Sequence, residues 1–224
     1  MAVPNDMERF ASRLGPRSDR TLAEMERRAS EAGVPTVGPA VGGWLQQLAG
    51  LVGAERVFEF GSGFGYSAYW FARVIPVDGE VVLTEIDADE LESARAFFDR
   101  SGYADRARFE HGDAIETVGR YDGPFDIALL DNEKHRYVEA FEAIRGKVPV
   151  GGVVVADNVI EGPFEFETLR RVLSEADGVE RTDGRGTDAA RGVRAYLDHV
   201  GSTDAFETTL LPLGEGLAVS RRRR

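Results

Sequence analysis

The chain has 224 residues, 42% of them apolar, and a formal net charge of -12. That is enough for one α/β unit with a substantial core and too apolar for an intrinsically disordered chain. The acid excess argues against a binder of duplex nucleic acid, and the lack of cysteine excludes disulfides, thiolate metal sites and a cysteine nucleophile.

No apolar run approaches the ~20 residues that a membrane helix needs. The opening MAVPNDMERF lacks the basic-then-apolar order of a secretion signal, so a cytoplasmic location is the default expectation. Only Lys134 and Lys147 are lysines. An acid-rich, lysine-poor surface resembles proteins adapted to high salt, where carboxylates keep the surface hydrated.

In chain order, residues 6–33 read as a helix, with apolar positions at helical spacing, and 39–52 as a second. From there strands and helices alternate. Arg56–Phe60 is a short apolar strand, followed by a glycine-rich turn and a helix over Ser67–Val74. Glu80–Glu85 is a strand, and Ala88–Arg100 a helix opened by acidic residues. Ala107–His111 is a strand and Ala114–Val118 a short helix. Phe125–Asp131 is a strand, Tyr137–Lys147 a helix, and Val153–Asp157 another buried strand. The alternation predicts parallel strands with helices on both faces. Glu165–Ala176 and Asp188–Val200 read as helices. Glu207–Pro212 and Gly216–Arg221 read as strands joined at Leu213-Gly214-Glu215, so the sheet should end in an antiparallel hairpin. The arginines at 221–224 read as a solvated tail. No linker interrupts this order, which implies a single domain over 1–224, with N-terminal helices over 1–52 and a cofactor-binding sheet core over 53–224.

The first chemical signal is the turn Glu59-Phe60-Gly61-Ser62-Gly63-Phe64-Gly65-Tyr66-Ser67. Glycines let a backbone bend sharply and approach a ligand, the helix start offers free N–H groups, and ligands of open α/β sheets sit at the carboxyl ends of the strands. The spacing departs from G-x-G-x-x-G, and no Lys-Ser/Thr follows as in a phosphate-binding loop. An acid at Glu59 disfavours phosphate and suits a cationic group. Glu85 ends the second strand about 20 residues beyond the glycines, where an acid can accept from both hydroxyls of a ribose. Gly112-Asp113-Ala114 ends the third strand beside the place of a base, although Asp113 also suits a helix cap.

The second signal is a set of oxygen donors. Asp131 and the pair Asp157-Asn158 each end an apolar strand at the same expected sheet edge. Two carboxylates and an amide oxygen suit a hard cation such as Mg²⁺ or Ca²⁺, which lowers the pKa of a bound hydroxyl. Lys134, three residues after Asp131, is placed to take that proton. His135 is a second choice as base, because neighbouring side chains point apart. His111 and His199 form no constellation.

The stretches FEFGSGFGYSA, LTEIDAD, HGDA, LLDNEKHRY, VVADNV and LLPLGEGLAVSR, in this order and spacing, resemble the cation-dependent O-methyltransferases, the group of the catechol and caffeoyl-CoA O-methyltransferases. The resemblance runs from about Val37 to Arg221. It implies the Rossmann-like fold of class I methyltransferases that use S-adenosylmethionine (SAM): a seven-stranded, mostly parallel sheet with an antiparallel last strand. It further implies that Glu59, Gly61, Ser62 and Ser67, with Val37 beside them, hold the methionine part of the donor. Glu85 would then hold the ribose, while Asp113 and Ala114 flank adenine. Asp131, Asp157 and Asn158 would bind the metal, Mg²⁺ first with Ca²⁺ or Mn²⁺ as alternatives. Asp131 would also lie near the donor's amino group, and Lys134 would be the general base.

A catechol fits as acceptor, because two adjacent oxygens can chelate one ion, and members of the group often form homodimers. Two departures stand out. Gly63 replaces a larger residue, and Glu161–Gly186 is long, with Phe164 and Phe166 serving either as a lid or as helix packing. Three rivals carry distinct expectations. A tRNA-modifying methyltransferase would act on a hydroxylated base, a nicotinamide dehydrogenase would bind NAD, and a non-catalytic SAM-binding module would bind without turnover.

Overall fold

The computed structural model describes residues 10, 12–174 and 185–224. Helix α1 (Arg20–Ala32) is preceded by a break at Gly15 and Pro16, so the single helix expected over 6–33 is corrected to a shorter one. Proline has no N–H to continue the ladder, and Asp19 starts the chain again as an N-cap, accepting from Leu22 N at 2.9 Å. The structure continues with α2 (Gly38–Val52), β1 (Arg56–Phe60), α3 (Tyr66–Ala72), β2 (Glu80–Glu85), α4 (Ala88–Ser101), β3 (Ala107–His111) and α5 (Ala114–Val118). Then follow β4 (Ile127–Leu130), α6 (Tyr137–Arg145), β5 (Val153–Ala156), α7 (Phe166–Ser174), α8 (Arg185–Gly201), β6 (Phe206–Leu211) and β7 (Leu217–Arg222).

The seven strands lie in the order β3-β2-β1-β4-β5-β7-β6. The pairs from β3 through β5 are parallel, and β7 runs antiparallel to both β5 and β6. The expected hairpin therefore forms, with the last strand of the chain inserted inside the sheet and β6 on its edge. Strands β4 and β5 are buried throughout, as uninterrupted apolar runs covered on both faces require. Val57, Val81, Leu83, Leu129 and Val155 face the layer of α1 to α4. Phe58, Phe60, Val82, Leu130 and Ala156 face α5 to α8. Phe164 is buried in that second layer, which makes it a packing residue. Of the closing arginines, Arg221, Arg223 and Arg224 are exposed, as a solvated run requires, while Arg222 lies in β7 and its guanidinium donates to the carbonyls of Arg145 and Val148 beyond α6.

Strand order reverses between β1 and β4, since β2 and β3 were added on one side of β1 and all later strands on the other. Crevices of open α/β sheets form at such a switch point, outside the carboxyl ends of the strands. Phe60 pairs with Leu130, and Leu130 with Ala156. The residues immediately after these, including Asp131 and Asp157, therefore emerge along one edge.

Candidate active site

Two cavities open on that edge. A narrow one of about 230 Å³ is lined by Gly61, Glu85, Asp113, Ala114, Asp131 and Arg136, among others. A wider one of about 660 Å³ is lined by residues that include Val37, Asp131, Lys134, Asp157, Asn158 and Glu215. Asp131 is common to both.

Glu59 lines neither cavity; it is fully buried in β1, two residues before Gly61 and on the strand face that Val57 also occupies. Its Oε1 accepts from the Ser67 hydroxyl at the start of α3, and its Oε2 has no hydrogen-bond partner among the described residues. Burial first, then the charges of Asp131 and Glu85, push this carboxyl up to about 8 against the opposing Ser67 bond. A buried carboxylate with one oxygen unsatisfied fits a cationic partner. Gly61 has φ +80, and a Cβ there would come within 2.9 Å of the Asp131 carbonyl oxygen, so only glycine lets β1 turn away this close to the end of β4. Ser62 is buried, and its N–H donates to Thr84 O at 3.0 Å. At Gly63 a side chain would meet no atom within 4 Å, consistent with a roomier turn.

Glu85 holds that turn in place. Its Oε2 accepts from Gly63 N at 2.8 Å, and its Oε1 from Ile86 N at 2.8 Å and Asp87 N at 3.0 Å. Asp113 is both the cap expected as its simpler role and a cavity wall. Its Oδ1 accepts from Ile115 N and Glu116 N, while its Oδ2 pairs with Arg136. The Arg136 hydrogen bond holds the Asp113 carboxyl below its ordinary range. Arg136 is absent from the sequence expectations: nothing in its spacing announces a partner 23 residues away.

In the wider cavity, Lys134 is buried in a 3₁₀ turn, Lys134–Arg136, that leads into α6. Its Nζ donates to Asp131 Oδ1 at 2.9 Å and to the Tyr137 phenol oxygen at 2.7 Å. The Tyr137 hydroxyl lies within reach of two acceptors, Leu130 O at 3.0 Å and Asp157 O at 2.9 Å. Burial, with Asp131 and Asp157 nearby, raises its pKa well above the ordinary value and keeps it a neutral phenol. Asp157 is buried, and its Oδ1 accepts from Asn158 N at 2.7 Å. Burial first, then the charge of Asp131, push Asp157 up to about 7. Asn158 has φ +55, and its amide donates to Glu215.

Asp131, Asp157, Asn158 and Lys134 therefore share one cavity. Among the described residues no three His, Cys, Asp or Glu side chains gather as a metal cluster; the set here is two carboxylates and one amide. That donor set, two carboxylates and one amide oxygen on a single cavity wall, fits a hard divalent ion. Val37 lines this wider cavity and not the narrow one. His135 is exposed and lies outside the wider cavity, while His199 pairs with Glu142 elsewhere.

The model of a family described as O-methyltransferase matches residues 18–223. A catechol O-methyltransferase of Niastella koreensis is 32% identical over 207 residues, covering 89% of this chain and 86% of that protein. A catechol O-methyltransferase of Mycobacterium tuberculosis is 31% identical, covering 87% of each. Among solved structures, the O-methyltransferase TomG of Streptomyces achromogenes, in complex with SAM, superposes with a TM-score of 0.83 at 25% identity, covering 98% of this chain and 97% of that one.

Proposed function

The chain belongs to the O-methyltransferase family, and from that premise we propose that it moves the methyl group of SAM to one hydroxyl of a small catechol-like acceptor, with a divalent cation, Mg²⁺ foremost, held by Asp131, Asp157 and Asn158. The observation that carries this reading is Asp131, a single carboxylate standing in both cavities. That shared residue supports reading the cavity with Glu85 and Asp113 as the donor's and the cavity with Lys134, Asp157 and Asn158 as the acceptor's.

When bound, SAM supplies a methyl on a positively charged sulfur, which leaves as a neutral thioether with the electron pair of the broken carbon–sulfur bond. When bound, a divalent cation supplies Lewis acidity to the acceptor oxygen. The rest is the work of the chain. Glu59, kept in the interior with Ser67, offers its free oxygen to the donor's ammonium group, above Gly61 and Ser62. Glu85 accepts from the ribose, at the cost of sharing oxygens that already hold three backbone N–H groups. Asp113 and Ala114 form the wall at the base. Val37 closes the acceptor side. Lys134 Nζ, held by Asp131 and the Tyr137 phenol, takes the proton of the attacking hydroxyl. Most of the acceleration then comes from alignment of acceptor oxygen, methyl and sulfur.

Asp131, Asp157, Glu161 and Glu215 line the acceptor chamber, with Lys134 the one basic side chain among its described residues. Such walls repel a polyanion, which favours a small phenolic acceptor over a hydroxylated tRNA base.

Calorimetry with SAM, followed by assays of catechols with Mg²⁺ or with chelator, tests the reading. SAM binding together with Mg²⁺-dependent formation of a methyl catechol is expected. Turnover that persists undiminished in chelator would remove the cation from the proposal, and absence of SAM binding would remove the donor.

A further inference from the structure

We infer that Glu215, in the turn between β6 and β7, is a positioning residue for the proposed cation site: it turns the Asn158 amide so that the oxygen, not the nitrogen, is left for the ion. The inference rests on the cation reading above. Its observation is the hydrogen bond from Asn158 Nδ2 to Glu215 Oε2. An ionised carboxylate only accepts, so the amide must present its NH₂ to Glu215 and keep Oδ1 on the opposite branch. Without such a partner an asparagine side chain rotates, and its nitrogen is no ligand for a hard cation.

The surrounding backbone holds both residues in register. Ile160 N and Glu161 N donate to Glu215 O at 3.0 and 2.9 Å, and Val159 N donates to Gly216 O at 3.0 Å. These three bonds tie the turn to the loop after β5. Position 162 has no room for a side chain, since a Cβ there would lie 2.8 Å from Asn158 Cβ and 3.0 Å from Glu215 Oε2. The close packing is reserved for the amide–carboxylate pair. The pairing also polarises the amide, which strengthens its oxygen as a donor, as carboxylate partners of metal ligands do. Glu215 is exposed, so its replacement leaves the core untouched.

The test is titration of the full chain with Mg²⁺ by calorimetry and with Mn²⁺ by water-proton relaxation, in wild type, Glu215→Ala and Glu215→Gln, beside SAM affinity and thermal midpoint. For Glu215→Ala we expect about a tenfold or greater loss of cation affinity, with SAM affinity and midpoint unchanged. Glu215→Gln, whose amide oxygen still accepts, should recover most of that affinity. Wild-type cation affinity in Glu215→Ala overturns the inference. Equal loss in both variants also overturns it, because the carboxylate would then act through its charge or as a ligand. A wild-type protein that binds neither ion instead defeats the cation reading itself.

Discussion

Lys134 Nζ sits 2.9 Å from Asp131 Oδ1, so the proposed base and the carboxylate shared by both cavities form one ion pair inside the site. The lysine is buried and its second partner, the Tyr137 phenol, is buried too. Removing the amine should therefore abolish proton transfer without emptying the donor groove. Lys134→Met is expected to lower kcat by about 10²–10⁴-fold with SAM affinity within a few-fold of wild type, measured by single-turnover kinetics and calorimetry. A variant with unchanged kcat would strip Lys134 of its role.

Tyr137→Phe isolates the support beneath that lysine. It removes one acceptor from Lys134 Nζ and the hydroxyl that reaches Leu130 O and Asp157 O. A lost buried hydrogen bond of this kind costs about 1 kcal/mol. The expected result is a small drop in thermal midpoint and a loss of kcat with KM for SAM unchanged.

Glu59 contributes to the pH dependence of the ligand-free protein, in the same direction as Asp157. Its folded pKa of about 8 lies above its ordinary 4.5. The folded state therefore binds the extra proton, its stability is highest below pH 4.5 as far as this group is concerned, and that contribution is lost as pH rises through about 8. Glu59→Gln should flatten this part of the stability profile and raise the midpoint at pH 8, read by thermal melts across pH. If the donor's ammonium seats against Glu59, SAM binding near pH 7 should release protons in wild type and not in the variant. Calorimetry in buffers of different ionisation enthalpy checks this.

Arg136→Gln tests the wall of the narrow cavity. The substitution leaves Asp113 with its cap bonds but no guanidinium. SAM affinity should fall by roughly tenfold, the effect of one charge-assisted contact, while Mg²⁺ affinity stays as in wild type. A loss of both would place Arg136 in overall folding instead.

The sheet was legible because its strands are short apolar runs between turn residues, and because acids at strand ends stand out against them. Glu59, Glu85, Asp131 and Asp157 were visible for that reason. The break before α1 was less visible, because helical spacing continues across Gly15 and Pro16 and masks them. Arg136, Tyr137 and Glu215 were missed because their partners are set by the meeting of distant segments. Glu215 reaches an amide 57 positions away, which no local pattern encodes. Asp113 shows the opposite case, where the local cap reading and the cavity reading are both satisfied by different oxygens of one carboxylate.

The double exposure of Asp131 carries a thermodynamic consequence. If donor and acceptor both seat against this carboxylate, as proposed, their binding is coupled through it. Whatever factor a seated acceptor imposes on the dissociation constant of SAM, SAM must impose on that of the acceptor. A conservative change at this one position should therefore shift both binding curves together and change the size of the one coupling factor they share, whereas changes confined to Glu85 or Glu215 should move one curve and leave the other where it was.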